Sequence, residues 1–184
     1  MKTVIINGSG GSGKDTIVEL LRTYFFNDYM VYNISTVDEV KLIARKMGWD
    51  GEKDERGRQF LADLKNAWTT YNNGANETVL QEVIEHSFDE TLHHKEFIVF
   101  VHCREPEAIK WFVECLNNRG TDVCTAIVKR QSVVEFFNDA DKSVDNYNYD
   151  ITILNNGTLM ELEKICKDFS ELIKNWDIKN KILM

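Results

Sequence analysis

The chain predicts an α/β domain built on a parallel sheet with helices on both faces, and three observations carry that expectation. Short β-branched runs alternate with stretches of helical periodicity along the sequence. The first apolar run leads directly into a glycine-rich turn, as happens where a strand feeds a ligand-binding loop. The 184 residues, 43% of them hydrophobic and with a single proline, suit one compact domain over residues 1–184 with a full core.

Taken in order, strands are expected at 3–7, 31–35, 97–101, 123–129 and 150–154, about five in all, each mostly apolar and rich in β-branched residues. Ile17, Leu20, Leu21, Tyr24 and Phe25 mark a first helix, and Val40, Ala44 and Met47 a second. Leu61, Leu64, Trp68 and Tyr71 follow the same period, then Val79, Leu80, Val83 and Ile84, then Ile109, Phe112 and Leu116. Thr158 and Glu161 form a capping box that opens a last helix with Leu159, Leu162, Cys166, Phe169 and Ile173 on one face. Right-handed crossovers would give three layers, helix on sheet on helix, and ligands would collect beyond the carboxyl ends of the strands.

The turn Gly8-Ser9-Gly10-Gly11-Ser12-Gly13-Lys14-Asp15-Thr16 follows the run Thr3-Val4-Ile5-Ile6 and precedes a helix, which is the context of a phosphate-binding loop. Glycines are needed because successive N–H groups must turn inward around phosphate oxygens, with positive φ and no Cβ in the way. Lys14 would reach the β- and γ-phosphates, and the helix would aim its N-terminal dipole at the same anion. The hydroxyl usual after the lysine is replaced by Asp15, with Thr16 one place later. Thr16 and Asp15 are candidate Mg²⁺ ligands, since that ion takes oxygen donors and keeps several waters. Asp15 serves equally well as a first-turn acid that complements the dipole.

A net charge of −8 argues against a nucleic-acid polymer or an anionic membrane as partner, so phosphate binding must come from a few concentrated cations. The ligand should be small. Cys103, Cys115, Cys124 and Cys166 are widely spaced and form no C-x-x-C pair, and no apolar segment has signal-peptide or membrane length. Reduced core thiols in a cytoplasmic protein are expected.

Chemistry is to be sought just after each strand: Ser35-Thr36-Val37-Asp38, His102-Cys103-Arg104-Glu105-Pro106, Lys129-Arg130 and Asn155-Asn156-Gly157. Arg104 stands out, because a guanidinium beside a phosphate loop grips phosphate bidentately; a surface pair with Glu105 or Glu107 is the plainer use of it. Trp49, Trp68 and Tyr71 either line a pocket within 50–95 or pack its helices.

These residues resemble the P-loop deoxynucleoside monophosphate kinases of phage type and the related phosphomevalonate kinases. Gly13-Lys14-Asp15-Thr16 matches the form of that family's loop, and Ser35-Thr36-Val37-Asp38-Glu39-Val40-Lys41 is similar to its Ser-Phe-Ala-Asp-Pro-Leu-Lys segment. Residues 53–64 resemble the arginine-bearing acceptor-side helix, His102-Cys103-Arg104-Glu105-Pro106 stands where the family has Asp-Val-Arg-Phe-Pro, and Asn155-Asn156-Gly157-Thr158-Leu159 resembles the turn near the adenine. The resemblance implies the P-loop NTPase sandwich, ATP and Mg²⁺ as cofactors, and phosphoryl transfer to a small phosphorylated acceptor, most naturally a (deoxy)nucleoside monophosphate. Lys14, Arg104 and Arg130 would act on the transferring group, and Asn156 would lie on the nucleotide. Asp38, Arg56, Arg58 and Arg104 would face the acceptor, with 50–95 as the acceptor-side region and 130–150 as a short lid.

Two positions depart from that pattern. The third strand ends in His102 instead of an acid, with Glu105 three residues on as a possible substitute, and the lid segment carries Lys142 against several acids, which leaves Arg130 as its cation. A monophosphate acceptor is already a dianion near neutral pH and needs no base, which favours a phosphate acceptor over a hydroxyl one. A nucleotide-binding module without catalysis, and a kinase for a hydroxyl acceptor such as dephospho-coenzyme A or a nucleoside, are the other functions these residues allow.

Overall fold

The computed structural model describes residues 1–93, 95–131, 146–176, 178 and 181–184, with the backbone alone for 89–93. The strands are β1 (Lys2–Asn7), β2 (Tyr29–Ser35), β3 (Glu96–His102), β4 (Asp122–Lys129), β5 (Ile151–Leu154) and β6 (Lys181–Leu183). The helices are α1 (Lys14–Phe25), α2 (Asp38–Lys46), α3 (Glu55–Asn72), α4 (Gly74–His93), α5 (Pro106–Asn117) and, numbered consecutively, α6 (Leu159–Asn175). All strand pairs are parallel, in the order β2-β3-β1-β4-β5-β6. No helix among the described residues is long and apolar enough to cross a membrane.

Side chains alternate across β1 with the two-residue period of a strand, so Val4 and Ile6 face one layer and Ile5 the other. On the first side, Ile17, Val18, Leu21 and Phe25 of α1 and Leu162, Ile165, Cys166, Phe169 and Ile173 of α6 close over Phe100, Ala126 and Ile153. On the second, Val79, Leu80 and Val83 of α4 and Ile109, Phe112 and Leu116 of α5 cover Ile34, Val99 and Val101. Burial on both faces explains why the strands read as continuous apolar runs. The capping box of α6 is formed, with Thr158 Oγ1 accepting from the Glu161 amide and Glu161 Oε2 accepting from the Thr158 amide.

Three features differ from the sequence expectation. A sixth strand, β6, pairs with β5; three residues flanked by Lys and Asn are too short to show a period of two. Strand β2 starts two residues early, at Tyr29, because its register against β3 runs from Tyr29↔Glu96 to Ser35↔His102. Helix α3 keeps the expected stripe in part: Leu61, Leu64 and Trp68 are half-buried, Tyr71 is 86% exposed, and the fully buried positions are Gly57 and Lys65. Its neighbours are α2 and α4. Trp49, as one of its two expected uses, packs beside this region: it is half-buried next to Gly57, its indole donates to the Glu52 carbonyl and Arg45 lies over its ring.

Phe169 is fully buried between α1 and the sheet. Phe169→Ala should therefore lower the unfolding free energy by about 3–5 kcal/mol, whereas Tyr71→Ala should change it by less than about 0.5 kcal/mol, both read by chemical denaturation.

Candidate active site

The carboxyl ends of β1, β3 and β4 meet at the glycine-rich loop. Gly8 takes φ of 146°, and a Cβ there would lie 2.5 Å from the Val128 carbonyl oxygen, so only glycine lets the chain leave β1 this close to β4. Gly13 takes φ of 98° as the N-cap of α1, and a Cβ would collide with the Asn155 amide. Asn155 is the reason for the crowding: it is buried, and its Nδ2 donates to the Ser12 carbonyl at 2.8 Å. Its own amide donates to the Lys129 carbonyl at 2.8 Å, which ties the turn after β5 to the end of β4. Asn7 braces the other side, accepting from the Gly8 amide and donating to the Arg104 carbonyl and the Tyr149 hydroxyl.

Lys14 lies back along the loop, with Nζ donating to the Gly8 carbonyl at 2.6 Å, the Ser9 carbonyl at 2.9 Å and Ser12 Oγ at 3.4 Å. Two guanidiniums lie over the loop tip. The position of a Cβ on Gly10 is 3.7 Å from Arg104 Nη2 and 3.8 Å from Arg58 Nη1, so a residue of α3 and one of the β3–α5 turn reach the same spot. Arg58 is aimed by its Nε, which donates to the Lys53 carbonyl at 2.7 Å.

At the end of β3, His102 Nε2 is 2.6 Å from Asn33 Oδ1 and 3.8 Å from Asp15 Oδ1. Burial pushes its pKa down to about 4, against a smaller opposite pull from Asp15, so the ring is neutral near pH 7 and its Nε2–H is assigned as donor to Asn33. The Asp15 carboxylate is 88% exposed and Thr16 is exposed beside it in the first turn of α1. One carboxylate and one hydroxyl at the rim of a phosphate loop fit the donor set of Mg²⁺, which takes its remaining oxygens from phosphate and water. Among the described residues there is no cluster of three or more His, Cys, Asp or Glu that would make a cage for a metal.

Beside the loop, the segment expected to face an acceptor holds a residue that its sequence did not single out. Lys65 of α3 is buried, and its ammonium donates to Glu105 Oε2 at 2.7 Å and to Thr36 Oγ1 at 2.9 Å. Burial alone would raise the Glu105 carboxyl, but the Lys65 charge and hydrogen bond hold it below its ordinary value. Glu105 is thus committed to an ammonium and not to a metal. Cys103, 3.9 Å from that carboxylate, has its thiol pushed up to about 12 by burial and is inert as a nucleophile.

Other predicted residues stand further out. Asp38 caps the turn into α2, its Oδ2 accepting from the Ser35 amide at 2.9 Å and its Oδ1 pairing with Lys41 at 2.7 Å. Arg56 is exposed, two residues from Arg58 and so on the opposite side of α3 from the loop. Arg130 is exposed just past β4, and residues 132–145, most of the expected lid with Lys142, lie outside the described residues. Asn156 accepts from the Gln131 amide at 2.8 Å and so closes the β4 and β5 turns together, leaving the contact with the loop to Asn155.

No protein-family model and no curated protein matches this sequence. Among solved structures the chain is similar to a protein described as APE1195, at 14% identity and a TM-score of 0.50 over 95% of each chain. It is also similar to the APS kinase of Mycobacterium tuberculosis, described in complex with AMPPNP and APS, at 13% identity and a TM-score of 0.46 over 94% of this chain and 97% of that one. A de novo designed P-loop protein follows at 12% identity and a TM-score of 0.47 over 95% of each chain. At such identities the likeness concerns the fold. The all-parallel sheet with the glycine-rich loop after β1, at the N-terminus of α1, is by itself the arrangement of a P-loop NTPase fold.

Asn155→Ala strands the Ser12 carbonyl inside the protein and should cost about 1–3 kcal/mol of stability, read by denaturant titration. His102 adds a pH dependence. The folded state keeps the ring neutral down to about 4, whereas the unfolded chain protonates near 6.5. Between those values the unfolded state binds more protons, so the contribution is complete above pH 6.5 and is lost as the pH falls toward 4. The stability of His102→Gln should fall less steeply than that of the wild type over this window.

Proposed function

We propose that this chain is an ATP- and Mg²⁺-dependent kinase that moves the γ-phosphoryl group to a small phosphorylated acceptor, of which a (deoxy)nucleoside monophosphate fits best. The observation that supports this most is the convergence of Arg58 and Arg104 on the loop tip at Gly10, from two different elements. A loop that only held a nucleotide would need its own amides and Lys14. Two further guanidiniums suit a group whose charge is shared between donor and acceptor while it passes.

In this reading an acceptor phosphate oxygen attacks the γ-phosphorus in line, the bond to the β,γ-bridging oxygen breaks, and ADP leaves with those electrons. Lys14 exchanges its bonds to Gly8 and Ser9 for the β- and γ-oxygens. Arg104 and Arg58 hold the equatorial and acceptor oxygens, and Arg130 adds a cation from the β4 end. The loop amides of residues 8–13 hold the β-phosphate at the N-terminus of α1. Asp15 and Thr16 would hold the Mg²⁺, which when bound neutralises charge on the phosphate oxygens. Asn155 keeps the loop shut against β5, while Asn156 shapes the turn on the nucleotide side. Asp38 belongs to the acceptor side by fixing the turn after β2, whereas Arg56, on the far side of α3, takes no part. The reading treats residues 1–184 as one domain acting in the cytoplasm on small molecules, with no nucleic-acid polymer or membrane as partner.

One observation favours a second reading, a nucleotide-binding module without transfer: His102, at the strand end where an acid would organise the metal's waters, is neutral and bonded to Asn33. The two separate on one assay. With γ-labelled ATP, Mg²⁺ and a panel of nucleoside monophosphates, phosphomevalonate, nucleosides and dephospho-coenzyme A, label should pass to a monophosphate. Transfer should fall below detection in Lys14→Ala and roughly 10²–10³-fold in Arg58→Ala and Arg104→Ala. Tight ATP binding with no transfer to any acceptor would establish the module instead.

A further inference from the structure

An 18-residue helix beside a binding site ordinarily buries an apolar stripe, whereas α3 leaves Leu61, Leu64 and Trp68 half-buried and buries Lys65 beside them. Arg58, Ala62, Lys65 and Thr69 follow one another at spacings of four, three and four, which puts them on one face. Arg58 at the start of that face reaches the loop tip, and Lys65 two turns on is buried against Glu105 and Thr36. Arg58 and Lys65 therefore both contact the carboxyl edge of the sheet, about 10 Å apart along the helix axis.

The charges along this span alternate. Arg58 and Arg104 make the end beside Gly10 cationic, whereas Glu105, 36% exposed at its side chain, presents a carboxylate that Lys65 neutralises in part and orients. A phosphate belongs at the first end and is repelled from the second. A carboxylate held in place by a buried ammonium offers a fixed acceptor, and what it recognises is an O–H or N–H donor on the molecule whose phosphate sits on the arginines. Replacing such a buried pair by apolar residues is often neutral for stability, so stability alone gives no reason for placing it here.

We propose that the Lys65–Glu105 pair is a specificity element of the acceptor site, with Glu105 accepting a hydrogen bond from a sugar hydroxyl of a phosphorylated pentose, free or within a nucleotide. Lys65, through Glu105 and Thr36, is a positioning residue. The inference rests on the reading that the acceptor phosphate is held by Arg58 and Arg104, and it names the group at the other end. A deoxy acceptor lacking that hydroxyl loses the bond and leaves the carboxylate facing carbon, a loss of roughly ten-fold or more in affinity.

The test is binding, measured by calorimetry without ATP, so that it does not depend on catalysis. The probes are ribose 5-phosphate, 2-deoxyribose 5-phosphate, AMP, dAMP and ethyl phosphate, which carries the phosphate and no hydroxyl. Wild type should bind at least one of the hydroxyl-bearing probes ten-fold or more tighter than ethyl phosphate. The double variant Lys65→Met with Glu105→Gln removes both charges together and avoids stranding either one, with a thermal melt to show that it folds. It should bind that probe no better than ethyl phosphate. Glu105→Asp, which keeps the carboxylate, should restore part of the preference. A free pentose phosphate bound as well as its nucleotide would mark the sugar phosphate as sufficient, and tighter binding of the nucleotide would mark a nucleoside monophosphate.

Equal binding of all probes by the wild type, binding of none, or a preference that survives in the folded double variant would overturn the proposal. The kinase reading fails separately: a wild type with the binding preference but no transfer of label from ATP would sink that reading and leave this one standing.

Discussion

One buried hydrogen bond holds the site in its shape, the one from the Asn155 side-chain amide to the Ser12 carbonyl. A loop that turns its N–H groups toward an anion must turn carbonyls the other way, and those carbonyls need partners inside the protein. Asn155 supplies one from 143 positions away, across the turn after β5. Because its own amide is bonded to Lys129, the loop, the end of β4 and the turn before α6 are tied together. Asn7 repeats the device on the other flank, where its amide holds the Arg104 carbonyl and so sets the β3–α5 turn against the same loop.

With that frame fixed, the electrostatics follow from a few side chains. The chain is acidic, with a net charge of −8, yet Lys14, Arg58 and Arg104 gather at one spot, as a small polyanionic ligand requires. Several neighbouring ionisable groups are tied up in contacts of their own. Glu105 is bound to Lys65, Asp38 to Lys41, and His102 stays uncharged because burial outweighs the nearby Asp15.

The fold was legible because its signals are local. An apolar run, a glycine turn and a 3.6-residue period each fit within about twenty residues, and Thr158 with Glu161 announced the start of α6. The loop was legible residue by residue for the same reason. What could not be read depends on pairs far apart in sequence. Lys65 looks like a surface lysine until Glu105 and Thr36 close around it, and the choice between Asn155 and Asn156 depends on which way each side of the β5–α6 turn faces. The apolar period of α3 is met in part, with Leu61, Leu64 and Trp68 half-buried, but the position it buries beside the sheet edge is Lys65. Arg56 and Arg58 are equals in sequence and opposites in space, because two residues on a helix are more than half a turn apart.

The claim on which this account turns is that the loop and the two arginines meet on the terminal phosphate of a bound triphosphate. The most direct measurement is the phosphorus NMR spectrum of ATP bound to the wild type and to the double variant Arg58→Met with Arg104→Met, in the presence of Mg²⁺. Binding should shift the γ resonance in the wild type, and the double variant should lose most of that shift while the α and β resonances keep theirs. A γ resonance that is the same in both proteins would contradict it.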